Sequence, residues 1–263
     1  MLMLRSIAFQ VLFYVNFAIW LSFALVLTSL LSEKMNWRIV NGWCRMSLWL
    51  LRHVAGTRSV VTGLEHVPTR PSIIASKHQS FWDIIALVPH LDRPTFILKQ
   101  ELMRIPVFGR YARKLGMIPI DRAKRGGAIA SMLENATIAA GQGRQIVIFP
   151  EGTRCRPGAA PDYRQGIYRL YETLAMPVVP VALNSGLYWP RKDVRRWPGT
   201  IRADFLEPIP AGLSRVDFFP HLRGSIEKRS DELLAEAYRT DGMEPLEEAG
   251  REKLREILGR PAG

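Results

Sequence analysis

From Ile7 to Leu31 the chain carries no charged residue. As a helix this run is about 37 Å long, enough to cross a hydrocarbon core of roughly 30 Å. Its polar residues, Gln10, Asn16, Ser22, Thr28 and Ser29, scatter around the helix and form no stripe. That fits surroundings of lipid or apolar protein. A cleavable signal peptide is the rival reading. It would have a shorter apolar core and a small-residue cleavage site, and Leu30-Leu31-Ser32-Glu33-Lys34 offers none. Residues 37–53 differ in kind. On a helical wheel, Arg38, Asn41, Arg45 and Arg52 share one narrow sector, while Trp and Leu residues fill most of the rest. A helix lying at a membrane surface needs this pattern, and so does a soluble amphipathic helix packed on a core. The expectation is a two-helix membrane-docking element over residues 1–54 and a domain over residues 55–263. Three Arg follow the long helix and only Arg5 precedes it. If that helix spans, the domain faces the cytoplasm, where both Cys are free thiols.

Beyond residue 53, short apolar or β-branched runs alternate with helix-like stretches. The runs are 58–62, 72–75, 95–98, 116–120, 145–149, 178–183 and 200–205; the helical stretches are 81–88, 107–115, 123–140 and 165–174. This order predicts an α/β domain with a mostly parallel, mixed sheet flanked by helices. From about residue 216 the chain is charged and helical in pattern. A length of 263 residues suits one such domain plus an accessory segment. The apolar content of 48% excludes disorder as the main theme, and two Cys exclude a disulfide scaffold. The net charge is +12, although the stretch from Ser225 onward has seven basic against ten acidic residues. The excess on the remainder suits an anionic partner, whether nucleic acid, membrane or phosphorylated substrate.

Ligands of open α/β sheets sit beyond the carboxyl ends of the strands. In five successive runs those ends carry polar groups: Lys77-His78, Lys99, Asp121-Arg122, Glu151 to Arg154, and Asn184-Ser185-Gly186. Parallel strands would bring them to one edge. Within Lys77-His78-Gln79-Ser80-Phe81-Trp82-Asp83, a carboxylate that holds one imidazole nitrogen leaves the other free to take a proton. The same spacing is also a capping box, with Ser80 as the cap and Asp83 reaching back. In Phe149-Pro150-Glu151-Gly152-Thr153-Arg154, Gly152 permits a tight turn and Arg154 offers a fork for phosphate oxygens. A plain turn, with Glu151 and Arg154 solvated or paired together, is the alternative. Lys99 and Arg122 would extend a phosphate clamp, unless Asp121-Arg122 is only a surface ion pair. The run Met176 to Val181 reads as a buried strand. No nucleophile elbow, metal-ligand spacing or Gly-rich nucleotide loop is present.

These blocks, in this order, resemble the 1-acyl-sn-glycerol-3-phosphate acyltransferase family of bacterial type. Its His-x-x-x-x-Asp block is matched by His78 and Asp83. A basic residue after a hydrophobic strand is matched by Arg122. Phe-Pro-Glu-Gly-Thr-Arg is matched in full at Phe149 to Arg154, and a Pro-containing strand at Val179-Pro180-Val181. Lys99 to Leu102, followed by Ile105 to Gly109, is similar to a further stretch of the family. The resemblance covers roughly residues 72–186. Lys77 departs from it, standing where many members have Asn, and so does Pro119, where an apolar residue is frequent. The first departure is expected to shift acceptor or donor preference.

The resemblance implies His78, oriented by Asp83, as the base that activates the sn-2 hydroxyl of lysophosphatidic acid. Lys99, Arg122 and Arg154 would hold the acceptor phosphate, and Glu151, with Gly152 and Thr153, would fix the turn or a glycerol oxygen. It also implies acyl-CoA or acyl-carrier-protein as the donor, no cofactor and no metal. The partner would be membrane phospholipid and not nucleic acid, at the cytoplasmic face of the inner membrane. Another lysolipid acceptor, such as lyso-ornithine lipid, and a non-catalytic phospholipid-binding protein remain open.

Overall fold

A computed structural model describes residues 1–27, 30–121 and 127–259. Its first element, α1 (Leu2–Leu27), begins five residues before the uncharged run and takes Arg5 inside the helix. Arg5 is therefore no flanking charge. It folds back so that its Nε donates to the Val54 carbonyl at 2.8 Å. Then come α2 (Glu33–Leu50) and a π turn (Leu51–Ala55) that ends on the left-handed Gly56. Ser32 caps α2 by accepting from the Met35 N–H. The two helices run antiparallel, with Asn16 bonded to Ser47 at 2.9 Å and Phe17 against Trp43. Trp20 packs where Gly42 has no side chain.

Among the described residues, seven strands form one sheet: β1 (Thr57–Thr62), β2 (Ile73–Ser76), β3 (Thr95–Lys99), β4 (Ile118–Ile120), β5 (Ile146–Ile148), β6 (Val178–Leu183) and β7 (Gly199–Phe205). All lie within a residue or two of the runs that predict them. The order across the sheet is β1-β7-β6-β2-β5-β3-β4, parallel except for the antiparallel β6–β7 contact. The helices between strands are α3 (Trp82–Leu87), α4 (Pro106–Lys114), α5 (Gly127–Gly141), α6 (Gly166–Leu174) and the short α7 (Ser185–Tyr188); α8 (Arg215–Asp241) and α9 (Glu248–Ile257) follow β7.

Alternation along the central strands builds two cores. Ile74, Val147, Val179 and Val181 face α1, α2 and α3, joined by Phe9, Phe13, Trp37, Leu51 and Trp82. Ile73, Ala75, Ile146, Ile148 and Val178 face α5, α6 and the first half of α8. The Trp and Leu side of α2 is thus turned inward, while Arg38, Arg45, Met35, Met46 and Trp49 are exposed. On α1 the buried stripe is narrow, comprising Ser6, Phe9, Phe13 and Asn16. Ile7, Val11, Tyr14, Val15, Ile19 and Phe23 lie exposed on the rest of that helix.

Candidate active site

Because β2, β5, β3, β4 and β6 are mutually parallel, their carboxyl ends share one edge, which puts Lys77-His78, Lys99, Glu151 to Arg154 and Asn184 to Gly186 on one side of the sheet. β2 delivers His78. The Nδ1–H of His78 donates to Asp83 Oδ2 at 2.8 Å. The same oxygen accepts the backbone N–H groups of Gln79 and Ser80 at 2.7 and 2.9 Å. Ser80 Oγ accepts from the Trp82 N–H at 3.0 Å and donates to Asp83 Oδ1. The orienting reading is realised, and the same carboxylate ties the backbone that enters α3. The capping box is only half present: Asp83 reaches back to the Ser80 N–H, but α3 starts from Phe81 and has no side-chain cap. Asp83 is fully buried, and Ser185, just past β6, donates to its second oxygen. The His78 ring stacks on Phe149 with centroids 3.9 Å apart, and its side chain keeps 12% exposure. Among the described residues, Nε2 has no hydrogen-bond partner.

The turn after β5 closes over His78. Gly152 has φ +68°, the left-handed region that Gly adopts without strain. The Cys155 N–H donates to the His78 carbonyl at 2.8 Å. Burial pushes the Cys155 thiol up to about 11, so this neighbouring sulfur stays protonated near neutrality. Glu151 is neither solvated nor paired with Arg154. It is buried, and its Oε2 accepts the His78 backbone N–H at 3.1 Å while Oε1 faces Lys77 Nζ at 3.3 Å. Its place is behind the histidine, holding the loop. Lys77 is equally buried and reaches Glu227 on α8 at 2.6 Å. Its ammonium is thus turned toward two carboxylates, Glu151 and Glu227. Burial disfavours the Lys77 ammonium, but Glu151 and Glu227 outweigh that and hold its pKa above the ordinary lysine value.

Arg154 is half-buried, with its guanidinium 5.7 Å from the centre of the Phe81 ring. Burial and the Arg191 cation lower its pKa, and nearby Asp83 opposes them. Arg191 approaches the Thr153 hydroxyl and the Arg154 carbonyl, both at 3.4 Å. Lys99 is exposed at the end of β3, in register with Ile120. Strands lie about 4.8 Å apart, so Arg154 stands one strand from His78 and Lys99 two. Arg122 lies outside the described residues. No group of three His, Cys, Asp or Glu among the described residues is placed to hold a metal.

Sequence reasoning missed Glu227, Tyr163, Ser185 as a partner of Asp83, and Arg191. Ser185 was visible as a strand-end residue. The others carry no local pattern and arrive from distant parts of the chain.

A model of the acyltransferase family matches residues 58–184. The chain is 34% identical over 200 residues to the 1-acyl-sn-glycerol-3-phosphate acyltransferase of Pseudomonas aeruginosa, covering 76% of this chain and 78% of that one. The chain belongs to the 1-acyl-sn-glycerol-3-phosphate acyltransferase family. The alpha member from Mus musculus is 30% identical over 203 residues, 76% of this acyltransferase and 71% of the mouse protein. The crystal structure of the 1-acyl-sn-glycerophosphate acyltransferase of Thermotoga maritima shares the fold, with a TM-score of 0.73 and 21% identity, over 89% of this chain and 99% of that one. The expected membership, the α/β fold and the assignment as an acyltransferase therefore hold.

Proposed function

We propose that this acyltransferase moves a fatty acyl group onto the sn-2 hydroxyl of lysophosphatidic acid at a membrane surface. The observation that carries the reading is the Asp83–His78 pair, which leaves Nε2 free at the strand edge. His78 takes the proton of the acceptor hydroxyl, and Asp83 stabilises the imidazolium. The oxygen attacks the thioester carbonyl of acyl-CoA or acyl-carrier-protein. As the tetrahedral intermediate collapses, the C–S bond breaks and the proton on His78 passes to the leaving thiolate. General-base help of this kind is worth roughly 10²–10⁴-fold, and positioning supplies much of the rest. Arg154 and Lys99, with Arg122 and the newly found Arg191, bind the acceptor phosphate. Glu151 serves the loop and not a glycerol oxygen.

The exposed apolar surface of α1 supports membrane docking, since soluble proteins rarely leave so much contiguous apolar area uncovered. The contacts of Arg5, Phe13, Asn16 and Trp20 with α2 and the domain favour a helix pair dipping into one leaflet over a lone span. The exposed Arg38, Arg45 and Arg52 suit anionic headgroups, and the cytoplasmic side of the inner membrane is the reading they favour.

The test is acyl transfer in vesicles, with labelled acyl-CoA and acyl-carrier-protein offered to lysophosphatidic acid, lysophosphatidylcholine and a lyso-aminolipid, and a His78→Ala protein run alongside. Phosphatidic acid formed by the unmutated protein and lost at least 100-fold in the variant is expected. Transfer to another lysolipid keeps the mechanism and moves the acceptor; no transfer with any pair sinks the reading.

A further inference from the structure

Lysine is almost never fully buried without a partner, because its ammonium loses water. Lys77 is 2% exposed, and two carboxylates share its ammonium. Both Glu227 oxygens lie at 2.6 and 2.7 Å from Nζ, and Glu151 Oε1 at 3.3 Å. Glu227 comes from α8, 150 residues away in sequence, and Tyr163 donates its hydroxyl to Glu227 Oε1 at 2.8 Å. Burial drives the Tyr163 hydroxyl far above the ordinary tyrosine range, with the Glu227 charge adding to it, so it stays a donor.

The two oxygens of Glu151 have separate tasks. One meets Lys77; the other takes the N–H of His78 at 3.1 Å. From the far side, Cys155 holds the His78 carbonyl. The peptide of the histidine is thus gripped between Glu151 and Cys155, both from the turn after β5. Of these two grips, only Glu151 is a buried charge that requires a counter-ion. We infer that Lys77 and Glu227 are positioning residues for acyl transfer: through Glu151 they tie the backbone of His78 to α8 and fix where its imidazole meets the acceptor hydroxyl. The inference rests on the acyl-transfer reading above.

Stability alone does not account for such a cluster. A buried ion pair is often no more stabilising than a well-packed apolar group of similar volume. What an apolar group cannot do is hold the Glu151 carboxylate with one oxygen on the His78 N–H. Misplacement of a reacting group by about 1 Å can cost 10²-fold in rate, so the benefit of this tie is expressed in turnover. Lys77 and Glu227 bond to each other, to Glu151 and to Tyr163, and not to Arg154 or Lys99, the cations proposed for the acceptor phosphate, so the KM values stay put.

Lys77→Met keeps an unbranched side chain one atom shorter and removes the charge; Glu227→Gln keeps the Tyr163 contact and removes a charge from α8. At a temperature where both variants are folded, kcat should fall about 10–100-fold in Lys77→Met and about 3–10-fold in Glu227→Gln, with both KM values within threefold. The double variant should be no slower than Lys77→Met, because both changes act on one tie. In parallel, the His78 backbone amide should exchange faster in each variant, by hydrogen-exchange mass spectrometry of the peptide that holds it. A folded Lys77→Met with kcat within twofold of the unmutated protein overturns the inference, as does a change confined to KM. If Lys77→Met fails to fold, Glu227→Gln alone decides by the same two criteria. Amide exchange needs no substrate. If the unmutated protein transfers no acyl group, the acyl-transfer reading fails on that result, while unchanged His78 exchange would sink the positioning network separately.

Discussion

Asp83 accepts hydrogen bonds from the His78 ring, from two backbone N–H groups and from the Ser80 and Ser185 hydroxyls. Asp83→Asn separates its two duties. The serine hydroxyls can turn to accept from the new amide, so the turn before α3 and the fold persist, but the imidazolium loses its counter-charge. We expect kcat to drop about 10³–10⁴-fold with the melting temperature within a few degrees, and near-normal turnover would remove Asp83 from the mechanism. For the acceptor, Arg154→Ala should raise the lysophosphatidic acid KM about 10- to 100-fold, the loss of one charge-assisted hydrogen bond, and leave the donor KM alone. Arg191→Ala should act in the same direction and less strongly, since Arg191 is exposed; an unchanged acceptor KM in both variants would mean that the phosphate sits elsewhere. The pair His78 and Asp83 was legible because both its roles are local, five residues apart across one strand-to-helix junction. Glu227 was not, because nothing on a helix 150 residues away signals that it will meet Lys77 until the sheet order is known.

At the scale of elements, α2 shows how the two N-terminal helices are fastened to the domain. Glu33, in its first turn, pairs with Arg93 at 3.0 Å and with Arg144 at 2.9 Å. Burial acts against the Glu33 charge, but the two arginines outweigh it and lower its pKa from 4.5. A lowered folded-state pKa means that the contribution to stability is present above the unfolded value and is lost as pH falls through the folded one. The melting temperature of Glu33→Gln should therefore lie below that of the unmutated protein at pH 7, with the gap closing as pH falls below 4.5. A gap independent of pH would show that the pair does not fasten α2. The strands themselves were legible from short β-branched runs. Their order was not, because alternation of strand and helix is equally compatible with several sheet orders, and the reversed β1–β7 pair depends on which edge a strand joins. Residues 189–198, which predicted nothing, form a strap between α7 and β7. Trp189 packs edge-on against Phe9 and Phe13, and Arg196 stacks 4.7 Å from Trp189. The Arg196 N–H donates to Ser6 and its guanidinium to Gln10. Burial lowers this arginine to about 10. The same strap carries Arg191 to the turn of Thr153 and Arg154, so α1 is connected to that turn.

For the whole molecule, the consequence is a protein with a polar strand edge and an apolar flank. Val11 and Val15 are 57% and 49% exposed on that flank. Placing Glu at both should leave the melting temperature within a few degrees and abolish flotation with anionic vesicles, because each buried charge in lipid costs about 2–4 kcal/mol even by the mildest scales. Retained flotation would move the docking surface off α1. The bond between Ser6 and Arg196 joins residues 190 positions apart. At about 5–20 residues per second, Ser6 leaves the ribosome roughly 10–40 s before its partner exists. Throughout that interval Phe9 and Phe13 have no Trp189 to pack against, and a helix apolar on nearly every side must be sheltered. On the membrane reading, the bilayer is the shelter. Synthesis then runs from the lipid inward: the helix is delivered first, and the strap closes on an anchor already in place.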